Sequence, residues 1–376
     1  MIRITIYIIN ILIVMFMIVI RKNNYNFGNQ RFRTGDEMAS VFIFISFTLI
    51  MAMRSLNVGV DTSPYSRIYT IICNSDSFIG ALKKAPLSAP IYVLMCRGLS
   101  YISNDPQFLI IVSSILVNIG LFIFIKRTKA DTALSSIVWI GLTLYYCSMN
   151  GNRQCISVVI ALNAIIYLSE NIKSLKGWGL FIVSIGIHAT ALFFIIAILG
   201  TLLAKKINNN KITFLISTII SVVITVIFTG TVKVFLRIFP RYSLYTSGNS
   251  QYSIFSSSGG GRIIILYLFL FAIIVLWILQ AKKKMIEQDK FNAFILPAVV
   301  FCTVFGAINC RNELINRILW YYLALFVSFV PSTIIKSRGN QKKIISFIIV
   351  SILIAYSLLS LMENQNGVMP YTFFRG

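Results

Sequence analysis

Histidine is almost missing from this 376-residue chain, where His188 is the sole example, and acidic residues number only 11. Metal sites are built from clustered His, Cys, Asp and Glu, and so small a supply, scattered along the sequence, offers no ligand set. The six cysteines (Cys73, Cys96, Cys147, Cys155, Cys302 and Cys310) form no CxxC pair and lie mostly in apolar runs, where a small buried thiol is the ordinary role. No metal and no cofactor is expected. An internal repeat of the kind that alternating-access transporters carry is also lacking, as is a small-residue cleavage site after the first apolar run. That run ends at Arg21 and Lys22 and reads as a retained helix. Charged residues make up only 12% of the chain against 57% hydrophobic, and the mean hydropathy of +0.83 excludes a water-soluble domain.

What is present is a succession of apolar runs near the roughly 20 residues that a helical crossing needs. They lie at 4–20, 38–53, 107–125, 132–149, 213–232, 263–281, 291–309, 318–335 and 344–362, with weaker ones at 88–103 and 154–169. The expected fold is all-α, a polytopic transmembrane bundle of about 12 spans forming one integral membrane domain over 1–376. The formal charge of +23 would point to nucleic acid in a soluble protein. Here the lysines and arginines sit in short loops between apolar runs, so positive-inside topology explains them and no nucleic-acid partner is expected.

Placing the loops at 21–33, 126–129, 173–176, 205–211, 282–290 and 336–343 in the cytoplasm puts 20 of 34 basic residues inside. Even numbers of crossings must then separate these loops. The run at 88–103 becomes a re-entrant or surface helix. Residues 177–204 are 28 uncharged residues, about 42 Å as one helix, too long for a core of about 30 Å and too short for two full spans. Lysines at both ends favour a short hairpin that enters and leaves on the cytoplasmic side, broken near Gly186 and His188. One tilted helix, with 88–103 as a true span, is the alternative and leaves 16 basic residues inside against 18 outside.

On the outer side the basic residues change type. Eleven of the 14 non-cytoplasmic ones are arginine, whereas the cytoplasmic set is 15 Lys to 5 Arg. Lysine serves as a hydrated topology marker, while the planar guanidinium suits bidentate pairing with phosphate. Snorkelling to lipid headgroups is the ordinary role for any one of them. Arg317, one turn into the apolar stretch "NELINRILWYYLALF", and Arg153, opening "MNGNRQCISVVIAL", instead imply a polar cavity, because an isolated charge within a span costs about 2.5–3.5 kcal/mol. Two larger outer loops are expected, at about 55–87 and 237–262. The second interleaves aromatics, Tyr242 and Tyr245 among them, with Ser, Asn and Gly, a composition suited to sugar faces and hydroxyls.

These stretches resemble a known family. "RSLNVGVDTSPY", with Arg54, Gly59, Asp61, Thr62 and Tyr65, is similar to the signature after the second helix of EpsG-like, Wzy-type polysaccharide repeat-unit polymerases. "MNGNRQCISVVIAL", with Asn150, Arg153 and Gln154, resembles that family's N..RQ helix, and "IGIHATALFF" its histidine element. "RYSLY", "NRILWYY" and "MPYTFF" are similar to later landmarks in the same order.

The resemblance implies a membrane glycosyltransferase in the bacterial cytoplasmic (inner) membrane. It would act on undecaprenyl-pyrophosphate-linked glycans at the outer face, building O-antigen or capsule. A flippase and a chain-length regulator are implied as partners, alongside membrane lipids. Arg153, Arg241, Arg311 and Arg317 are candidates for pyrophosphate contact, and His188 and Asp61 for the base that deprotonates the acceptor hydroxyl. Arg54, Tyr65, Gln154, Tyr242 and Tyr245 complete the expected substrate-binding set. A lone histidine in an apolar stretch is also an ordinary helix–helix hydrogen-bonding residue. Eleven residues of helix would lift His188 about 17 Å from the cytoplasmic end, so catalysis there needs a water-filled cavity. A lipid-linked oligosaccharide flippase and an O-antigen ligase are the alternative functions.

Overall fold

The structure is a computed structural model that describes residues 2–22, 34–85, 89–238, 261–280, 287–310, 313–337 and 339–374. Every described element is helical apart from one isolated antiparallel bridge, Arg54 to Phe373. The order is α1 (Ile2–Lys22), α2 (Thr34–Ala52), α3 (Thr62–Cys73), α4 (Phe78–Lys84), α5 (Pro90–Ser100), α6 (Pro106–Arg127), α7 (Thr132–Gly141), α8 (Leu144–Asn150) and α9 (Asn152–Glu170). Then come α10 (Leu175–Ile187), a 3-10 segment (Ala189–Phe194), α11 (Ile195–Ile207), α12 (Asn210–Ile238), α13 (Gly261–Leu279), α14 (Glu287–Asn309), α15 (Glu313–Leu323), α16 (Phe326–Lys336) and α17 (Gly339–Met362).

Seven described helices are long and apolar enough to cross a membrane, or nine if each of two bent pairs is one span. Each apolar run expected as a crossing has become helix, but two of them are sharply bent. The run at 132–149 is α7 and α8, which meet at 63°, and that at 318–335 falls within α15 and α16, which meet at 45°. At the first bend Thr143 adopts a left-handed backbone with φ 61, which no helix can continue through. Asp131 starts α7 by accepting the Leu134 amide, and Asp105 starts α6 by accepting the Gln107 amide ahead of Pro106.

The stretch expected as a first outer loop, 55–87, is largely helical. Its polar surface suggested a loop, yet α3 buries Tyr65, Tyr69 and Ile72 on one face, and Ser77 caps α4 by accepting the Gly80 amide. With 11 residues, α5 is about 16 Å long, too short to cross. The expected break within 177–204 falls at His188, between α10 and the 3-10 segment.

The chain forms two compact units. One comprises Met1–Ile166, Leu175–Leu192 and Lys343–Gly376; the other comprises Tyr167–Ser174 and Phe193–Lys342. In the first, α7, α8 and α9 supply a core that includes Trp139, Tyr145 and Tyr146, and Gly141 lets α17 approach so closely that a Cβ would lie 2.6 Å from Leu353. In the second, α14 packs on α11, α12 and α13, the Trp277 indole donates to the Ser332 hydroxyl at 3.1 Å, and the Tyr322 hydroxyl donates to the Phe193 carbonyl at 2.6 Å.

Candidate functional site

Three of the quoted motifs, far apart in sequence, meet in the first unit. The loop leaving α2 turns at Gly59, whose φ is +95. A Cβ there would stand 2.7 Å from the Met149 carbonyl oxygen and 3.0 Å from the Asn150 Cα, so only glycine lets the loop lie against the α8–α9 junction. The Asp61 amide donates to the Asn150 side-chain oxygen at 2.7 Å, and the Thr62 hydroxyl reaches the Val58 and Met149 carbonyls at 2.7 and 3.2 Å. Asp61 occupies the N-cap position of α3 without capping it, and it is half-buried.

The C-terminal segment closes the same loop from the other side. The Ser55 amide donates to the Thr372 carbonyl at 2.9 Å, the Phe374 amide to the Met53 carbonyl at 2.8 Å and the Gly59 amide to the Gly367 carbonyl at 2.8 Å. The Tyr371 hydroxyl donates to the Ile50 carbonyl at 2.8 Å, and the Tyr7 hydroxyl to the Val368 carbonyl at 2.9 Å. Thus "MPYTFF" and "RSLNVGVDTSPY", separated by more than 300 residues, form one ledge. In the sequence the closing motif is only a landmark, and nothing in it announces this role.

Arg153 lies in the first turn of α9. Its guanidinium carbon is 5.4 Å from the centre of the Tyr65 ring and 5.3 Å from that of Tyr92, and the two rings are 6.4 Å apart at 57°. The cation therefore sits in a notch between tilted rings, within the ~6 Å reach of cation–π attraction. Tyr65 and Tyr92 are buried and Arg153 half-buried. Tyr92 was invisible as a site residue, because nothing in "PIYVLMCRGLS" distinguishes it from a core aromatic.

The helix that leads to His188 is tied to the same elements. Ser157 and Ser184 bond reciprocally, each hydroxyl donating to the other's carbonyl at 2.8 and 2.9 Å, which joins α9 to α10. Arg153 stands one turn before Ser157, and His188 one turn after Ser184. Since only residues 171–174 connect the two helices, both side chains lie beyond the serine pair, toward the end away from that connection. Gly186 packs on Ile91, the neighbour of Tyr92, where a Cβ would overlap the isoleucine side chain. His188 is half-buried, and its Nδ1 shares a 2.6 Å hydrogen bond with the Thr190 hydroxyl.

The remaining expected residues fall elsewhere. Arg54 is fully buried: its guanidinium donates to the Met51 carbonyl and, at 3.3 Å, to the Ser114 hydroxyl. Burial pulls its pKa down to about 10, with Tyr7, Tyr371 and Tyr145 pushing the other way, so it stays charged at neutral pH. Gln154 is also buried. Arg317 belongs to the second unit, where its guanidinium carbon lies 5.9 Å from the Trp320 ring centre. Arg241, Tyr242, Tyr245 and Arg311 lie outside the described residues. Among the described residues no three His, Cys, Asp or Glu side chains gather as a metal would require.

The first unit thus holds a cation beside two tyrosine rings, a half-buried carboxylate and an imidazole at a helix break. A search of curated proteins and one of solved structures gave no match. The EpsG family model, however, matches residues 38–373, from α2 through the ledge formed by the C-terminal segment. With its run of apolar helices and this match over nearly its whole length, the chain is a multi-pass membrane protein that belongs to the EpsG family.

Proposed function

We propose that this protein polymerises oligosaccharide repeat units carried on undecaprenyl pyrophosphate, at the outer face of the bacterial cytoplasmic membrane. In this reading the chain crosses the membrane about 12 times, the count reached when the two bent pairs and the three shorter apolar helices cross along with the seven long ones. The observation that carries the reading is Arg153, beside the Tyr65 and Tyr92 rings at the start of α9, three residues after the Asn150 side chain that accepts the Asp61 amide.

The reaction moves the growing chain onto a sugar hydroxyl of the next unit. The bond between the anomeric carbon and the pyrophosphate oxygen breaks, a bond from the acceptor oxygen to the same carbon forms, and undecaprenyl pyrophosphate leaves. The acceptor's proton passes to a base, His188 or Asp61, while Arg153 offsets charge building on the leaving group. Arg241, Arg311 and Arg317 stay further candidates for pyrophosphate contact on the strength of their motifs. No metal is needed, because guanidinium groups supply the charge that a divalent ion would otherwise bring.

Surface glycans from a deletion strain, resolved on a gel, test the proposal. Loss of a polymerase leaves single repeat units on the acceptor. Complete absence of transferred units would identify a ligase, and units trapped on the inner leaflet would identify a flippase.

A further inference from the structure

Three helix ends meet on the lysine-rich side of the second unit. α11 and α14 run antiparallel: Gly200 packs on Pro297, where a Cβ would lie 3.0 Å from the proline ring, and further along α11 the Lys205 ammonium lies 5.1 Å from the centre of the Phe294 ring. The end of α9 joins them, because the same ammonium donates to the Glu170 carbonyl at 2.9 Å. Lys290, one turn before Phe294 on the same face of α14, is exposed beside this junction. Positive-inside topology accounts for lysines that stand in water, but Lys205 is half-buried, its stem laid on a ring and its head closing a helix end.

The junction also lies at a membrane boundary, since one candidate span ends here at Ile207 and another begins at Lys290. On α11, Leu199, Leu202 and Lys206 form an exposed stripe at spacings of three and four, apolar within the span and cationic at its end. In the segments 170–174, 205–211 and 282–290, eight lysines outnumber three acids, so the boundary is cationic. Going beyond the polymer chemistry and independent of it, we infer that this junction binds an anionic phospholipid of the adjoining leaflet, the inner one by the lysine count. Lys205, Lys206 and Lys290 hold its phosphodiester, and an acyl chain lies along Leu199 and Leu202. The property required is charge. Arginine therefore serves at these positions, and methionine, of similar reach but neutral, does not.

The full-length protein in a neutral detergent, titrated with phosphatidylglycerol or phosphatidylcholine, supplies the test, with bound lipid counted by native mass spectrometry and melting followed in parallel. Wild type holds phosphatidylglycerol about tenfold more tightly than phosphatidylcholine and melts higher in its presence. Lys206→Met with Lys290→Met, two exposed positions, lowers that preference to about twofold or less, whereas Lys206→Arg with Lys290→Arg keeps it. Lys205→Met acts in the same direction, and if it fails to accumulate the exposed pair decides. Lys342→Met with Lys343→Met, an equally exposed pair on α17, leaves the preference unchanged. Equal binding of the two lipids by wild type, or a wild-type preference in the Lys206 and Lys290 methionine variant, overturns the inference. A comparable loss from the α17 pair overturns it too, because attraction is then diffuse. Displacement of the lipid by millimolar inorganic phosphate does the same by assigning the lysines to a soluble anion. None of these results bears on the polymerase reading, which the glycan gel tests separately.

Discussion

Gly59→Ala isolates the claim that the first motif is built to meet the second. A non-glycine residue at φ +95 is strained by about 1–2 kcal/mol. The added methyl would also stand 2.7 Å from the Met149 carbonyl oxygen, 2.8 Å from the Thr62 hydroxyl and 3.0 Å from the Asn150 Cα. Two of these three are backbone atoms that cannot rotate away, and forcing them apart costs about 1–3 kcal/mol more. Together this gives roughly 2–5 kcal/mol, concentrated on the loop that carries Asp61 and the ledge beneath it. The expected result is a protein that inserts, melts several degrees lower in detergent and makes little or no polymer. Gly98→Ala is the control, because that glycine lies in α5 with nothing within 4 Å of the new methyl. There the change should be neutral, or stabilising by up to about 1 kcal/mol through helix propensity. A Gly59→Ala protein with wild-type melting and a wild-type ladder would refute the contact.

Truncation after Met362 removes every bond from the C-terminal segment to residues 50–59, and polymer should be lost while the helices still insert; membrane fractionation with a glycan gel checks both. Arg54→Ala, which empties a fully buried site, should lower the amount of protein in the membrane, as a blot against Arg153→Ala would reveal. His188→Ala should abolish polymer at normal protein level, and a full-length ladder from it leaves Asp61 as the base. Gly186→Leu should push α10 off α5 and reduce both stability and polymer, measured by melting and ladder density.

The helical runs were legible because a membrane leaves the backbone no other way to satisfy itself, so apolar length translates directly into helix. The bend at Thr143 was not, since it depends on a single left-handed threonine, and Gly141 before it is one of many glycines within apolar runs. The helices within 55–87 were not legible, because a short amphipathic helix such as α3 gives too few turns for its period to stand out from loop composition. Arg153 was readable as a charge opening an apolar helix. Tyr92 was not, because a core tyrosine and a tyrosine that walls a cation look identical until the partner from another helix is known. Arg54 was read as a substrate contact from its motif, but its burial beside Ser114 and Met51 reflects tertiary packing that sequence cannot show.

Purified protein in liposomes, given one undecaprenyl-pyrophosphate-linked repeat unit and a chelator, is the direct test of metal-independent polymerisation. A polymerase gives a ladder of longer lipid-linked glycans, one undecaprenyl pyrophosphate released per linkage, and neither product from Arg153→Ala. No elongation by the wild type, or equal elongation by Arg153→Ala, would contradict it.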